Sequence, residues 1–153
     1  MKNSKKQIGV VGVDSGQLIV CDPCYIDGEW KKERFSFENH HTDKNTGQTF
    51  IYPKDFMHYE VKLEQYEGKT PNQLISEGVW DSNTKYPAPK SAFSYNACCQ
   101  ATRGKDQAGQ LNYALGHPGV AVAFCTGYGD GEYPVFATFK NGKIKSITIE
   151  FFN

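Results

Sequence analysis

Apolar and polar positions alternate along the chain in short runs. Residues 8–13 (Ile-Gly-Val-Val-Gly-Val) are apolar and largely β-branched, Asp14-Ser15-Gly16 supplies a tight turn, and an apolar run resumes over residues 17–21. This pattern predicts an amino-terminal hairpin with Val11 and Val13 facing Leu18 and Val20. Pro23 lacks an amide donor, so Asp22-Pro23-Cys24-Tyr25 reads as a strand exit. Residues 38–48 (ENHHTDKNTGQ) lack aliphatic side chains and contain Gly47. They read as a mobile loop between strands near residues 34–37 and 49–52. Thr70-Pro71-Asn72-Gln73 places a capping Thr, Pro at the first helical position and Gln at the third, ahead of Leu74 and Ile75. That predicts one short helix over residues 71–77, closed by Gly78. Tyr86-Pro87-Ala88-Pro89 is an extended linker, and residues 93–102 fit a strand or a helix equally.

The last third carries a buried-strand run over residues 119–125, a Gly-rich loop over 126–133, and two strands joined by Asn141-Gly142, the preferred pair for a type I′ turn. A strict two-residue turn sets Lys140 opposite Lys143, Thr138 opposite Lys145 and Phe136 opposite Ile147. On the other face Phe139 opposes Ile144, Ala137 opposes Ser146 and Val135 opposes Thr148. Apolar residues then fall on both faces, which predicts a sheet covered on both sides over part of its length. The fold class is therefore mainly β, a sandwich or strongly curved antiparallel sheet with one short helix. Ten Phe and nine Tyr against two Met agree with it, since ring side chains suit strands and stacking surfaces.

At 153 residues the chain suits a single domain, 1–153, able to fold without disulfides or a structural metal. Lys and Arg (17) balance Asp and Glu (17). Polymeric nucleic acid is thus excluded as a generic partner, because neutralising phosphates needs a cationic surplus. No apolar run reaches the roughly 18 residues of a membrane span, and the one after Lys5-Lys6 stops at Asp14, too short for a signal-peptide core. Five Cys, an odd number with no export signal, point to reduced thiols and the cytoplasm.

Two strings stand out: residues 13–25 (VDSGQLIVCDPCY) and residues 127–135 (GYGDGEYPV). With the ending over residues 142–151, they resemble small bacterial and bacteriophage proteins that share a D-S-G…D-P opening and a G-D-G-x-Y-P-V close. The resemblance covers the first 25 and last 35 residues or so. It implies a β-rich single domain of bacterial or phage origin, in the latter case acting in the host cytoplasm, and it transfers no catalytic residue.

Cys21-x-x-Cys24 has redox spacing, but it ends a strand instead of opening a helix, and Asp22 between the thiols raises their pKa. A packed Cys21 and an incidental Cys24 explain it better. Zinc could draw on Cys21, Cys24, Cys98, Cys99, Cys125, His40, His41, His58 or His117, yet a second Cys-x-x-Cys is missing. Asp14, Asp22 and Asp130 fall at turns or strand exits and could hold Mg²⁺ or Ca²⁺ in a metal-dependent hydrolase; turn chemistry accounts for the same residues without a ligand. No nucleophile and base can be paired by spacing, which favours a non-enzymatic protein without a cofactor.

The Gly-rich loop is the better binding feature. Tyr128, Asp130 and Tyr133 offer ring faces and a carboxylate among flexible amides, a set able to stack on and hydrogen-bond a planar polar ligand such as a nucleobase. Lys31, Arg34 and Arg103 could form a compact basic pocket for an anionic group. The expected function is an intracellular binding protein for a small polar or anionic ligand, such as a nucleotide signal that a phage protein would sequester to evade host defence. A protein–protein adaptor or inhibitor is the alternative without a small molecule. A membrane partner is not expected, and a homo-oligomer is left open.

Overall fold

The computed structural model of the chain describes residues 4–112 and 119–152. The fold is mainly β: nine strands in three antiparallel three-stranded sheets, with few and short helices, among the described residues. None of these helices is long and apolar enough to cross a membrane. The chain forms two compact units: Met1–Arg34 with Pro89–Asn153, and Phe35–Ala88, which interrupts the first in sequence.

In the first unit, β1 (Ser4–Val13) and β2 (Gln17–Cys21) do not pair with each other. The amino-terminal hairpin is thereby corrected. β1 pairs with β8 (Gly131–Lys140), and β2 pairs with β7 (Ala121–Cys125). One antiparallel ribbon thus runs through both signature strings and bends where β1 passes into β2 and β7 into β8. The bend lets the four strands serve two sheets: β1-β8-β9, with β9 spanning Lys143–Ile149, and β2-β7-β6, with β6 spanning Ala108–Leu111.

The carboxyl-terminal hairpin also departs from the expected register. Lys140↔Lys143 and Phe139↔Ile144 hold, but Lys145 is a bulge, and beyond it Thr138 faces Ser146, Ala137 faces Ile147 and Val135 faces Ile149. The extra residue moves every later side chain to the opposite face. Ile144, Ile147 and Ile149 thereby join Phe139, Ala137 and Val135 on one side, while Thr138, Ser146 and Thr148 take the other. The apolar character expected on both faces is largely gathered onto one.

The ambiguous stretch is a helix. α3 (Tyr95–Thr102) starts at Ser94, whose hydroxyl accepts the Ala97 amide at 3.1 Å. Its small residues Ala97, Cys98 and Ala101 pack on Leu111, Ala121 and Ala123, with Phe93 edge-on to Trp30 at 4.9 Å. Gly109 permits this approach, since a Cβ there would meet the Ala101 carbonyl at 3.0 Å. Glu33 ties the preceding segment to the helix start. Its carboxylate accepts from the Lys90 and Ser91 amides and the Asn96 side chain at 2.8–3.0 Å, which holds its pKa at about 2, the Asn96 bond contributing most. A shorter helix, α1 (Cys24–Gly28), follows β2, so the Cys-x-x-Cys pair ends a strand and also opens a helix, which corrects the expectation that no helix starts there.

In the second unit the predicted mobile loop is a strand. β3 (Glu38–Asp43) is the centre of a sheet flanked by β4 (Thr49–Tyr52) and β5 (Trp80–Lys85), while residues 34–37, expected as a strand, form none. Only residues 44–48 remain a turn, with the Asp43 carboxylate accepting the Asn45 and Thr46 amides. Asn39, His41 and Asp43 alternate toward a cluster of Phe50, Phe56, Leu74 and Trp80 with Tyr52, Tyr59 and Tyr66 around it. A polar inward face is tolerated because tyrosine hydroxyls satisfy it: Tyr66 donates to Asp43 at 2.7 Å, and Tyr59 bonds both Asn39 and His41. The predicted helix is α2 (Pro71–Ser76), with the full capping box of Thr70 and Gln73.

Candidate functional site

The bend of the ribbon brings the two signature strings face to face. Gly16 donates its amide to Asp130 Oδ1 at 2.8 Å and its carbonyl accepts the Thr126 amide at 3.0 Å. Gly129 lies so close that a Cβ on Gly16 would sit 3.5 Å from the Gly129 Cα, and Gly16 also has φ +65°. The Gly129 carbonyl accepts two hydroxyls, from the buried Thr126 and from Tyr133, the latter at 2.9 Å. The glycines and Asp130 therefore have a local reason: they build a corner whose backbone is fixed from both sides.

The corner holds aromatic rings in different settings. Tyr133 is buried, edge-on to Phe151 at 5.2 Å. Tyr128 is 77% exposed and edge-on to Phe152, itself 65% exposed, at 5.3 Å. A Cβ on Gly127 would come within 3.0 Å of the Phe152 ring, so that glycine admits the pair. The expectation that Tyr128 and Tyr133 share a ligand becomes, in the structure, one ring presented to solvent and one spent on the frame.

Beside the corner, Tyr95, Cys99 and Thr102 form one stripe of α3. Gln17 reaches across, donating to Cys99 Sγ at 3.2 Å and accepting the Thr102 hydroxyl at 3.2 Å. Tyr95 is pushed above its ordinary pKa by its hydrogen bond with Cys99 first, then by burial, with Asp130 adding a repulsive charge. Tyr95, which reasoning along the sequence did not select, thus lies within electrostatic reach of Asp130. The i, i+4, i+7 spacing of Tyr95, Cys99 and Thr102 was the available signal, hidden while the stretch could equally be a strand.

The basic candidates separate. Lys31 bridges to Ser94 at the start of α3 and donates to the Gly28 carbonyl, with Arg34 three residues further on. Arg103, exposed, is the C-cap of the same helix, about 13 Å along it. Arg103 adjoins Thr102, whose hydroxyl bonds Gln17 and whose carbonyl accepts the Cys125 thiol, so this end of α3 meets the corner as well.

The carboxylates separate likewise. Asp14 and Asp130 flank the corner, but Asp22 lies beyond the far end of β2, about 17 Å away for five strand residues. Asp22 instead accepts the Cys24 amide at 3.0 Å, which holds its pKa low and, through their hydrogen bond, pushes the Cys24 thiol up. These three acids do not form one cation site. Among the described residues no three His, Cys, Asp or Glu side chains group in a way that could hold a metal. All five cysteines are free and lie in the first unit; burial raises Cys98 to about 11. His40 bonds Glu38, His58 is exposed, and His117 lies outside the described residues.

His41 Nδ1 lies 2.8 Å from Ser82 Oγ, a serine–histidine pair. The hydrogen-bond chain sets its polarity. Thr84 donates to Asn39, Asn39 donates to the Tyr59 oxygen, and the Tyr59 proton then goes to His41 Nε2. That leaves Nδ1–H donating to Ser82, the reverse of a base facing a nucleophile. Burial holds His41 below its ordinary pKa, in keeping with a neutral ring. Comparison of the chain with protein-family models, with curated proteins and with solved structures found no match.

Proposed function

We propose that this is a non-enzymatic binding protein that captures a small polar ligand carrying a planar ring, with a nucleotide as the leading case, over Tyr128 at the ribbon corner. One observation carries the reading: a ring 77% exposed stands on a loop whose backbone is pinned on both sides. Presenting an apolar ring this way needs no further ordering when a ligand stacks on it. Stacking on an aromatic contributes roughly 1 to 3 kcal/mol per base; Asp130 lies two residues on in the same loop, and Tyr95 and Arg103, on the adjoining helix, are assigned as further polar partners. The likeness of the two signature strings to phage-borne proteins favours a role in sequestering a host signal.

Titration calorimetry with cyclic and linear nucleotides tests the proposal. Heat with at least one member of the panel, lost in Tyr128→Ala, is expected. No heat with any of them, for the protein in its solution oligomeric state, removes the nucleotide version. A stable protein complex recovered by ligand-free protein would instead favour the adaptor reading.

A further inference from the structure

No residue of the sheet β1-β8-β9 joins either buried core cluster, and the half of this sheet farthest from the corner lies open. Register sorts its side chains. One face carries Ala137 and Phe139 of β8, Ile144 and Ile147 of β9, and Lys6 of β1 opposite Ala137. Ile144 and Ile147 are 58% and 51% exposed. Lys6 stands at the β1 edge, Lys140 and Lys143 at the turn and the bulged Lys145 at the β9 edge, so cations border the apolar centre on three sides. All four lysines are exposed and make no ion pair among the described residues. The nearby acids do not offset them. Glu132 and, just past β9, Glu150 fall on the opposite face, where Glu150 is paired with Lys5.

We propose that this face docks on a membrane surface containing anionic phospholipid, with Ile144 and Ile147 at the acyl-chain boundary and the lysines among the headgroups. The make-up of the patch chooses that occupant. A second copy would set four lysines against four. Specific protein interfaces are depleted in lysine and anchored by aromatic residues and arginine, and nucleic acid calls for arginine and stacking rings. The exposed side chains here are isoleucine and lysine. Lysine stems are long enough to keep the ammonium groups in the polar layer while the isoleucines enter the apolar one. A surface contact needs no spanning segment, so this reading replaces the expectation of no membrane partner. Phe139 lies about 27 Å along β8 from Gly131, which separates this face from the ring at the corner.

Flotation with vesicles of phosphatidylcholine alone, and of phosphatidylcholine with phosphatidylglycerol, tests this. Binding to the anionic vesicles only is expected, and added salt should weaken it. Lys143→Ala/Lys145→Ala should lower the partition coefficient about 30-fold, roughly fivefold for each lysine lost, at unchanged melting temperature. In a Trp30→Phe background, the emission of Ile147→Trp should shift to the blue on anionic vesicles as the side chain leaves water. Equal binding to both vesicle types, binding to neither, an unchanged partition in the lysine variant, or no blue shift in Ile147→Trp would each overturn the proposal. Retention by a DNA duplex without binding to anionic vesicles would overturn it too, and give the face to nucleic acid.

Discussion

The ribbon corner of the first unit and strand β3 of the second both place polar groups in confined positions, by different means. At the corner the partners are backbone groups and the residues beside them: Gly16, Thr126, Gly129 and Asp130, with only Tyr133 adding a long side chain. In β3 the partners are side chains distant in sequence: Tyr59 stands 18 residues from His41, and Tyr66 stands 23 from Asp43. The corner thus joins two short glycine-bearing turns from opposite ends of the chain mainly through backbone groups, and β3 is a strand whose inward polar side chains are satisfied by a tyrosine shell.

That difference orders the expected effects. Trp80→Ala should cost the most, about 4 kcal/mol, because Trp80 is buried and stacks on Phe50 at 4.7 Å and on His41 at 5.8 Å. Urea denaturation measures it. A loss near 1 kcal/mol would mean that the aromatic shell is not what supports β3.

Acid comes next and separates the units. His41 is held below its ordinary 6.5, first by burial and then by His40, so the unfolded chain takes up that proton first and the second unit begins to lose stability as the pH falls below 6.5. Glu33 sits at about 2 against an ordinary 4.5, so its stabilisation of the first unit is complete above pH 4.5 and is lost as the pH falls toward 2. In a Trp30→Phe background, Trp80 fluorescence reports the second unit alone. Its denaturation midpoint should fall between neutral pH and pH 5; a midpoint constant over that interval would contradict the neutral, buried His41. Glu33→Gln should flatten the later acid slope.

Smaller effects belong to the corner. Tyr133→Phe and Thr126→Val each remove a hydroxyl from the Gly129 carbonyl, and thermal denaturation should register about 1 kcal/mol for either. Tyr128→Ala should change stability by less than about 0.5 kcal/mol, since the ring is exposed, while removing ligand heat. A marked loss of stability in Tyr128→Ala would make the ring part of the frame.

The same contrast explains what could be read from the residues. Helix α2 is legible because Thr70, Pro71 and Gln73 carry its cap within four positions, and the Asn141-Gly142 turn is legible for the same reason. The mainly β class follows from the ring-rich, β-branched composition. The turn at Asp14-Ser15-Gly16 was visible but its role was not: a hairpin turn and a sheet-to-sheet corner use the same residues, and only the β7–β8 bend opposite distinguishes them. The Lys145 bulge was hidden because an extra residue leaves no trace in a pattern with apolar side chains in both registers. β3 was hidden most deeply, since a strand of Glu, Asn, His, His, Thr and Asp has a loop's composition until Tyr59 and Tyr66 are placed beside it. At the candidate site, Tyr128 and Asp130 were legible from their glycines, whereas Tyr95 and Gln17 depended on knowing that α3 is a helix.

The most direct measurement is an NMR titration of ¹⁵N-labelled protein with the nucleotide that gives the largest calorimetric response. Binding over the corner predicts shift changes concentrated at residues 126–131, Tyr95, Arg103 and Phe152, absent in Tyr128→Ala. Changes confined to residues 35–88, or the same changes in Tyr128→Ala, would contradict it.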